Sequence, residues 1–256
     1  MKFLAPLLLA LLSFGTAAQA QPALRGSAKL VLAAENDWPP YSSGGSETRS
    51  PEGFAVELVR AVLASQGVVV EIIGVPFARC MLYARNGRVA GCFNATITSE
   101  NREAYLWHAP AMFEEELAIF ARADSPLDNL GLGDLRGQRV GYTNAYTYPS
   151  EFLQDPKIRK EIATSDQNLL RMLIAGRVDY ILLNRMPGYW RIQGSPEFAG
   201  KAKRVGLLSQ DGFWVAFSKT HPEGPRLAAL FSQGLLELKR TGEYRRLLGD
   251  FRKRFP

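Results

Sequence analysis

Through most of this chain, short apolar segments alternate with segments whose apolar residues recur every three to four positions, and no other feature narrows the fold as far. Lys29 to Ala34 is a short apolar strand. Phe54, Leu58 and Val62 then fall at i, i+4 and i+8, one face of a helix. Val68 to Ile73 is rich in β-branched residues and reads as a strand. Pro76 opens a second helix that runs to about Asn86 and stops at Gly87; Val89 to Phe93 is the next strand. A βαβαβ succession implies a mostly parallel sheet with right-handed crossovers and helices on its faces.

The pattern then restarts. Glu116 to Arg122 reads as a strand leaving the first unit, and the turn-rich Asp124 to Asp134 links it to a second series beginning at Gln138 to Tyr142. Ser165 or Asp166 can cap a helix carrying Leu169, Leu170, Leu173 and Ile174, which Gly176 ends. Tyr180 to Leu183, Arg204 to Leu208 and Gly212 to Phe217 read as strands. Two helices, about Pro225 to Leu238 and Thr241 to Phe251, finish the chain.

The first twenty residues stand apart. Lys2, the apolar run Phe3 to Leu12 and the small-x-small triplet Ala18-Gln19-Ala20 have the layout of a secretory signal peptide, with a mature chain expected from Gln21. That run is too short for a membrane span, which needs roughly 20 apolar residues, so no stable membrane insertion is expected. The net charge of +6, or +5 without Lys2, comes from scattered basic residues and not from the stripe with interleaved aromatics that would suit nucleic acid. Cys80 and Cys92 could form a disulfide in an oxidising compartment or serve as two small buried apolar residues; spacing alone leaves both open. With His108 and His221 far apart, they make no metal-ligand spacing, and nothing points to a cofactor.

The order of several segments resembles the extracellular solute-binding proteins of family 3, which serve polar amino acid ABC transporters. The segments are Trp38-Pro39-Pro40-Tyr41, Gly53 to Leu58, Pro76 to Arg79, Asn94 to Arg102, Asp134 to Gly141, Gly176 to Asp179 and Thr241 to Tyr244. The resemblance runs from about Lys29 to Phe251. It implies an α/β fold of the type II periplasmic binding protein kind, with two lobes of mostly parallel sheet flanked by helices. Lobe 1 would comprise 28–115 plus 215–256 and lobe 2 122–209, joined by hinge crossovers near 115–121 and 208–215. It further implies a periplasmic monomer that closes on a small-molecule ligand and partners the permease subunits of an ABC transporter.

The resemblance also implies site residues. Arg102 would pair with a ligand carboxylate, for which a guanidinium fork is well suited. Trp38 would stack on the ligand and Phe77 form the opposite wall. Asn94, Ala95 and Ile97 align with a strand end that lends contacts, in which Ala95 and Ile97 could offer only backbone. Tyr146 would line the cleft and Thr147 bind at a helix N-terminus. Asn184 stands where relatives that bind α-amino acids usually have an aspartate for the ammonium. Glu35, Asp37, Asp211 or the run Glu114 to Glu116 could replace that charge, or the ligand lacks an ammonium there. The expectation is a binding protein without chemistry of its own. The alternatives are an enzyme on the same fold, such as a cyclohexadienyl dehydratase-like lyase, and a ligand sensor serving a separate receptor.

Overall fold

The computed structural model describes residues 30–254, so the signal-peptide reading of the first twenty residues lies outside the described residues. Strands β1 (Val31–Glu35), β4 (Glu71–Val75) and β5 (Gly91–Ala95) pair in parallel in the order β4-β1-β5, as the opening alternation requires. Helices α1 (Phe54–Ser65) and α2 (Phe77–Arg85) make the crossovers, and β2 (Asp37–Trp38) and β3 (Ser42–Ser43) form a small hairpin after β1. A second parallel set follows: β8 (Arg139–Thr143), β9 (Arg159–Ala163) and β10 (Tyr180–Asn184), in the order β10-β8-β9. Helices α3 (Ser150–Gln154), α4 (Asp166–Ile174) and α5 (Arg185–Gln193) accompany it.

Two long antiparallel strands join the sets. The strand β7 (Phe113–Arg122) pairs with β10, and β11 (Ala202–Ser218) pairs with β7 along one stretch and with β5 and β6 (Tyr105–Trp107) along the other. The sequence reads as two strands between Arg204 and Phe217, yet the structure has one of 17 residues. Gly206 and Gly212, which look like interruptions, lie within the ladder, and register shifts near Gly206 and Leu207 absorb the irregularity.

Each half has an apolar core on both faces of its sheet. In the first half, Phe54, Leu58, Val62, Phe93, Phe217 and Phe231 fill one face, against α1 and α6 (Gly224–Thr241), while Ile73, Cys80, Ala84 and Cys92 lie on the other. Helix α7 (Glu243–Arg254) adds Phe251 to the first of these cores. In the second half, Leu169, Leu173 and Ile181 form one layer and Val140, Phe152 and Leu182 the other. Cys80 and Cys92 are bonded, with Cα atoms 5.5 Å apart, which ties α2 to β5.

The loop that carries Trp38 is fixed by the start of α1. The amides of Phe54 and Ala55 donate to the carbonyls of Pro40 and Tyr41, so donors left free at the helix start hold the loop in place. Gly53 has φ +130°, and a side chain there would collide with the Tyr41 carbonyl. Beyond the loop an aromatic series runs through the first half into β7: Trp38 stacks on Tyr41 at 4.7 Å, and Tyr41 on Phe113 at 4.7 Å with planes 5° apart.

Candidate functional site

The carboxyl ends of both parallel sets point toward one another. In open α/β sheets, ligands bind in the crevice beyond those ends, where the turns leave backbone groups and side chains free. Here a narrow cavity lies between the ends. Glu35 ends β1, Phe77 follows β4 and Asn94 falls within the last residues of β5; from the other side come Tyr146 and Thr147 after β8, Asp166 after β9 and Asn184 ending β10. Trp38, Asp211 and Phe213 complete the walls with several apolar side chains.

The structure therefore brings together Trp38, Phe77, Asn94, Tyr146, Thr147 and Asn184. Trp38 is also a core residue, 4.9 Å from Phe213 between ring centres. Phe77 meets Tyr146 edge to face at 5.9 Å, one ring from each half. Three residues lie elsewhere. Ala95 is fully buried in the first half's core, paired with Trp214 on β11. Ile97 lines a neighbouring recess that shares Thr96, Thr147, Tyr148 and Asp211 with the cavity. Arg102 is exposed and lines neither space; its amide donates to Thr98 and its carbonyl accepts from the Trp107 indole. The segment from Thr98 turns outward on these local bonds, which Asn101 reinforces by accepting from the Thr98 amide at 2.8 Å. A carboxylate bound in the cavity would not meet the Arg102 guanidinium in this arrangement.

Three carboxyl groups line the cavity, those of Glu35, Asp166 and Asp211, and no lysine, arginine or histidine does. Glu35 is 5 % exposed and accepts from the Tyr146 hydroxyl across the cavity. Burial pushes its carboxyl up to about 8, more than the Tyr146 hydrogen bond can offset. Burial also raises Asp166, which accepts from the Thr143 hydroxyl at 2.6 Å. Asp211 accepts from Ser209 at 2.6 Å. Asn94 is 4 % exposed and sits at φ +66°, a conformation that asparagine tolerates better than most residues. Its amide nitrogen donates to Ser42 at 2.9 Å, while its side-chain oxygen has no partner. Asn184 donates to the Glu116 carbonyl at 3.4 Å.

Asp166 and Arg191, to which the sequence assigns no ligand-side role, lie at and beside the cavity. Asp166 reads as a helix-capping residue, and the cap itself proves to be Ser165, whose hydroxyl accepts from the Asn168 amide at 3.2 Å. Arg191 lies on α5, a helix hidden in the sequence by Pro187 and Gly188. Its guanidinium donates to the Asp37 carbonyl at 2.7 Å and carboxylate at 3.0 Å, and its Nε lies 3.6 Å from Asp166. Among the described residues, no group of three or more His, Cys, Asp or Glu could hold a metal ion, and no helix is long and apolar enough to cross a membrane.

The fold and its inter-set cavity define a two-lobed solute-binding architecture. Residues 30–253 match the bacterial extracellular solute-binding proteins, family 3, and the chain belongs to that family. Among solved structures, it is similar to a histidine kinase sensor domain with similarity to periplasmic binding proteins: 25% identity, TM-score 0.75, covering 88% of this chain and 96% of that one. It also matches a mutant ArgBP from T. maritima at 22% identity and TM-score 0.73, over 88% of this chain and 95% of that one. A third match is ArtJ, the arginine-, lysine-, histidine-binding protein of Geobacillus stearothermophilus, at 19% identity and TM-score 0.72, over 89% and 96% of the two chains. No curated protein sequence matches the chain.

Proposed function

We propose that this chain is a periplasmic binding protein that captures a small polar solute carrying a cationic group, amino-acid-like in size, and delivers it to the permease of an ABC transporter. The observation that carries the reading is the charge of the cavity. Its titratable lining consists of carboxyl groups and tyrosines, with no lysine, arginine or histidine among them. A buried carboxylate is costly without a positive partner, so a ligand ammonium or guanidinium arriving at Glu35 relieves that penalty while replacing the Tyr146 hydroxyl. The unpaired oxygen of Asn94 offers the same cation a second acceptor. ArgBP and ArtJ, similar in fold, carry names that fit a basic ligand. Asn184 in place of an aspartate moves the recognised charge from that position toward Glu35 and Asp166.

A thermal-shift screen tests this reading. Basic amino acids and polyamines should raise the melting temperature and dicarboxylic acids should not; a ligand at a hundredfold excess over its dissociation constant adds about 2.7 kcal/mol of stability. Stabilisation by dicarboxylic acids alone would overturn it. A second reading has one observation in its favour: a carboxyl still protonated near neutral pH, as burial makes Glu35, can act as a general acid. Product formed from prephenate or arogenate would establish a lyase; its absence leaves capture and release.

A further inference from the structure

We infer that Arg191 is a latch between the two halves, a positioning residue that biases the molecule toward closure before any ligand enters. The inference rests on the capture-by-closure reading above but not on the identity of the ligand. Arg191 belongs to the second half, near the end of α5, and its side chain is 12% exposed. Asp37 belongs to the first half, on β2 directly before Trp38. One guanidinium nitrogen of Arg191 donates to both the main-chain carbonyl and the carboxylate of Asp37.

Neither residue lines the cavity. The bond from Tyr146 to Glu35 crosses the cavity, occupies the space a ligand needs and must give way on binding. The Arg191–Asp37 contact stands outside that space, so the same bond can exist with the cavity empty or filled.

Opening would separate Arg191 from Asp37 without stranding it. Its Nε has no hydrogen-bond partner, yet it lies 3.6 Å from Asp166, which is on the same half and held by Thr143. A guanidinium with a resident counter-charge in its own half is never left as an uncompensated buried charge, so release of the latch avoids the largest penalty of breaking a buried pair. Asp37 is 57% exposed, which keeps the pair within reach of dissolved ions. Such a contact shifts an equilibrium modestly, roughly twofold to fivefold.

The test reads the distance between the halves in the ligand-free secreted protein, by single-molecule energy transfer between one dye on each half, at low and high salt. In the wild type, the closed fraction falls as salt rises. Asp37→Ala should lower the closed-to-open ratio roughly twofold to fivefold and remove most of its salt dependence, with an unchanged melting temperature. Asp37→Glu should restore both, and Asp37→Lys should open the molecule further. Arg191→Met, which also removes the bond to the Asp37 carbonyl, should lower the closed-to-open ratio at least as far, which guards against a local effect of the loop. Equal closed fractions and equal salt responses in wild type and Asp37→Ala would overturn the latch. Because the distance is read without ligand, a failure of the cation reading leaves this result untouched.

Discussion

The two halves of the molecule meet at one cavity but bring different things to it. The first half presents Glu35, Trp38 and Asn94, each fixed by strand ends and by the buried aromatic series from Trp38 through Tyr41 to Phe113. The second half presents the groups that reach across, the Tyr146 hydroxyl to Glu35 and the Arg191 guanidinium to Asp37. It also carries less helix, with 5, 9 and 9 residues in α3, α4 and α5 against 12, 9, 18 and 12 in α1, α2, α6 and α7. The contrast teaches a division of labour: a heavily packed half holds a buried acid in place, and a lighter half supplies the polar arms that close on it.

The sharpest way to break this comparison is to damage the aromatic series. Phe113, 7% exposed and stacked on Tyr41, joins the Trp38 loop to a crossing strand. Phe113→Ala should destabilise by about 3–5 kcal/mol in denaturant unfolding. A change below about 1 kcal/mol would show that the series is not what stiffens the first half.

A pH profile of stability comes next, because two buried groups of the first half oppose each other. Burial depresses His108 from 6.5 to about 3, so its contribution is complete above pH 6.5 and fades as pH falls through that window. Glu35 is raised from 4.5 to about 8, so the folded state holds its proton more firmly and stability declines as pH climbs through that range. Asp166 and Glu115, both raised by burial, act with the same sign as Glu35. With three raised carboxyls set against one imidazole, stability should peak near pH 4.5 and fall on either side. Glu35→Gln should flatten the alkaline limb; an unaltered limb would place its cause elsewhere.

The smallest effect is expected at Arg102. Exposed and outside the cavity, it should tolerate alanine with stability within about 0.5 kcal/mol and ligand affinity essentially unchanged. Loss of binding in Arg102→Ala would mean that closure on ligand draws the Thr98 to Arg102 segment inward, and would give the first half a second charged anchor.

The alternation of strands and helices made the fold legible, whereas Trp38, Phe77, Asn94 and Asn184 came from the family resemblance, and the structure sets them around the cavity. Residues set by local pattern were accessible in this way. Arg191 was not, because Pro187 and Gly188 conceal the helix that carries it and its partners are over 20 positions away in the chain. Asp166 was masked by its neighbourhood: a polar residue before an apolar run reads as a cap, and only the tertiary arrangement shows its side chain buried beside Thr143. Arg102 differs again: its motif was visible, but the turn from Thr98 to Asn101, which carries it outside the cavity here, rests on bonds that the motif does not reveal.

Calorimetric titration of the wild type and Glu35→Gln with a basic amino acid, in buffers of different ionisation heat below pH 8, tests cation recognition directly. A cation seated at Glu35 should expel its proton on binding to the wild type. The variant should release none there and bind about 30-fold or more weakly. Equal affinity and equal proton release in the two proteins would contradict the account.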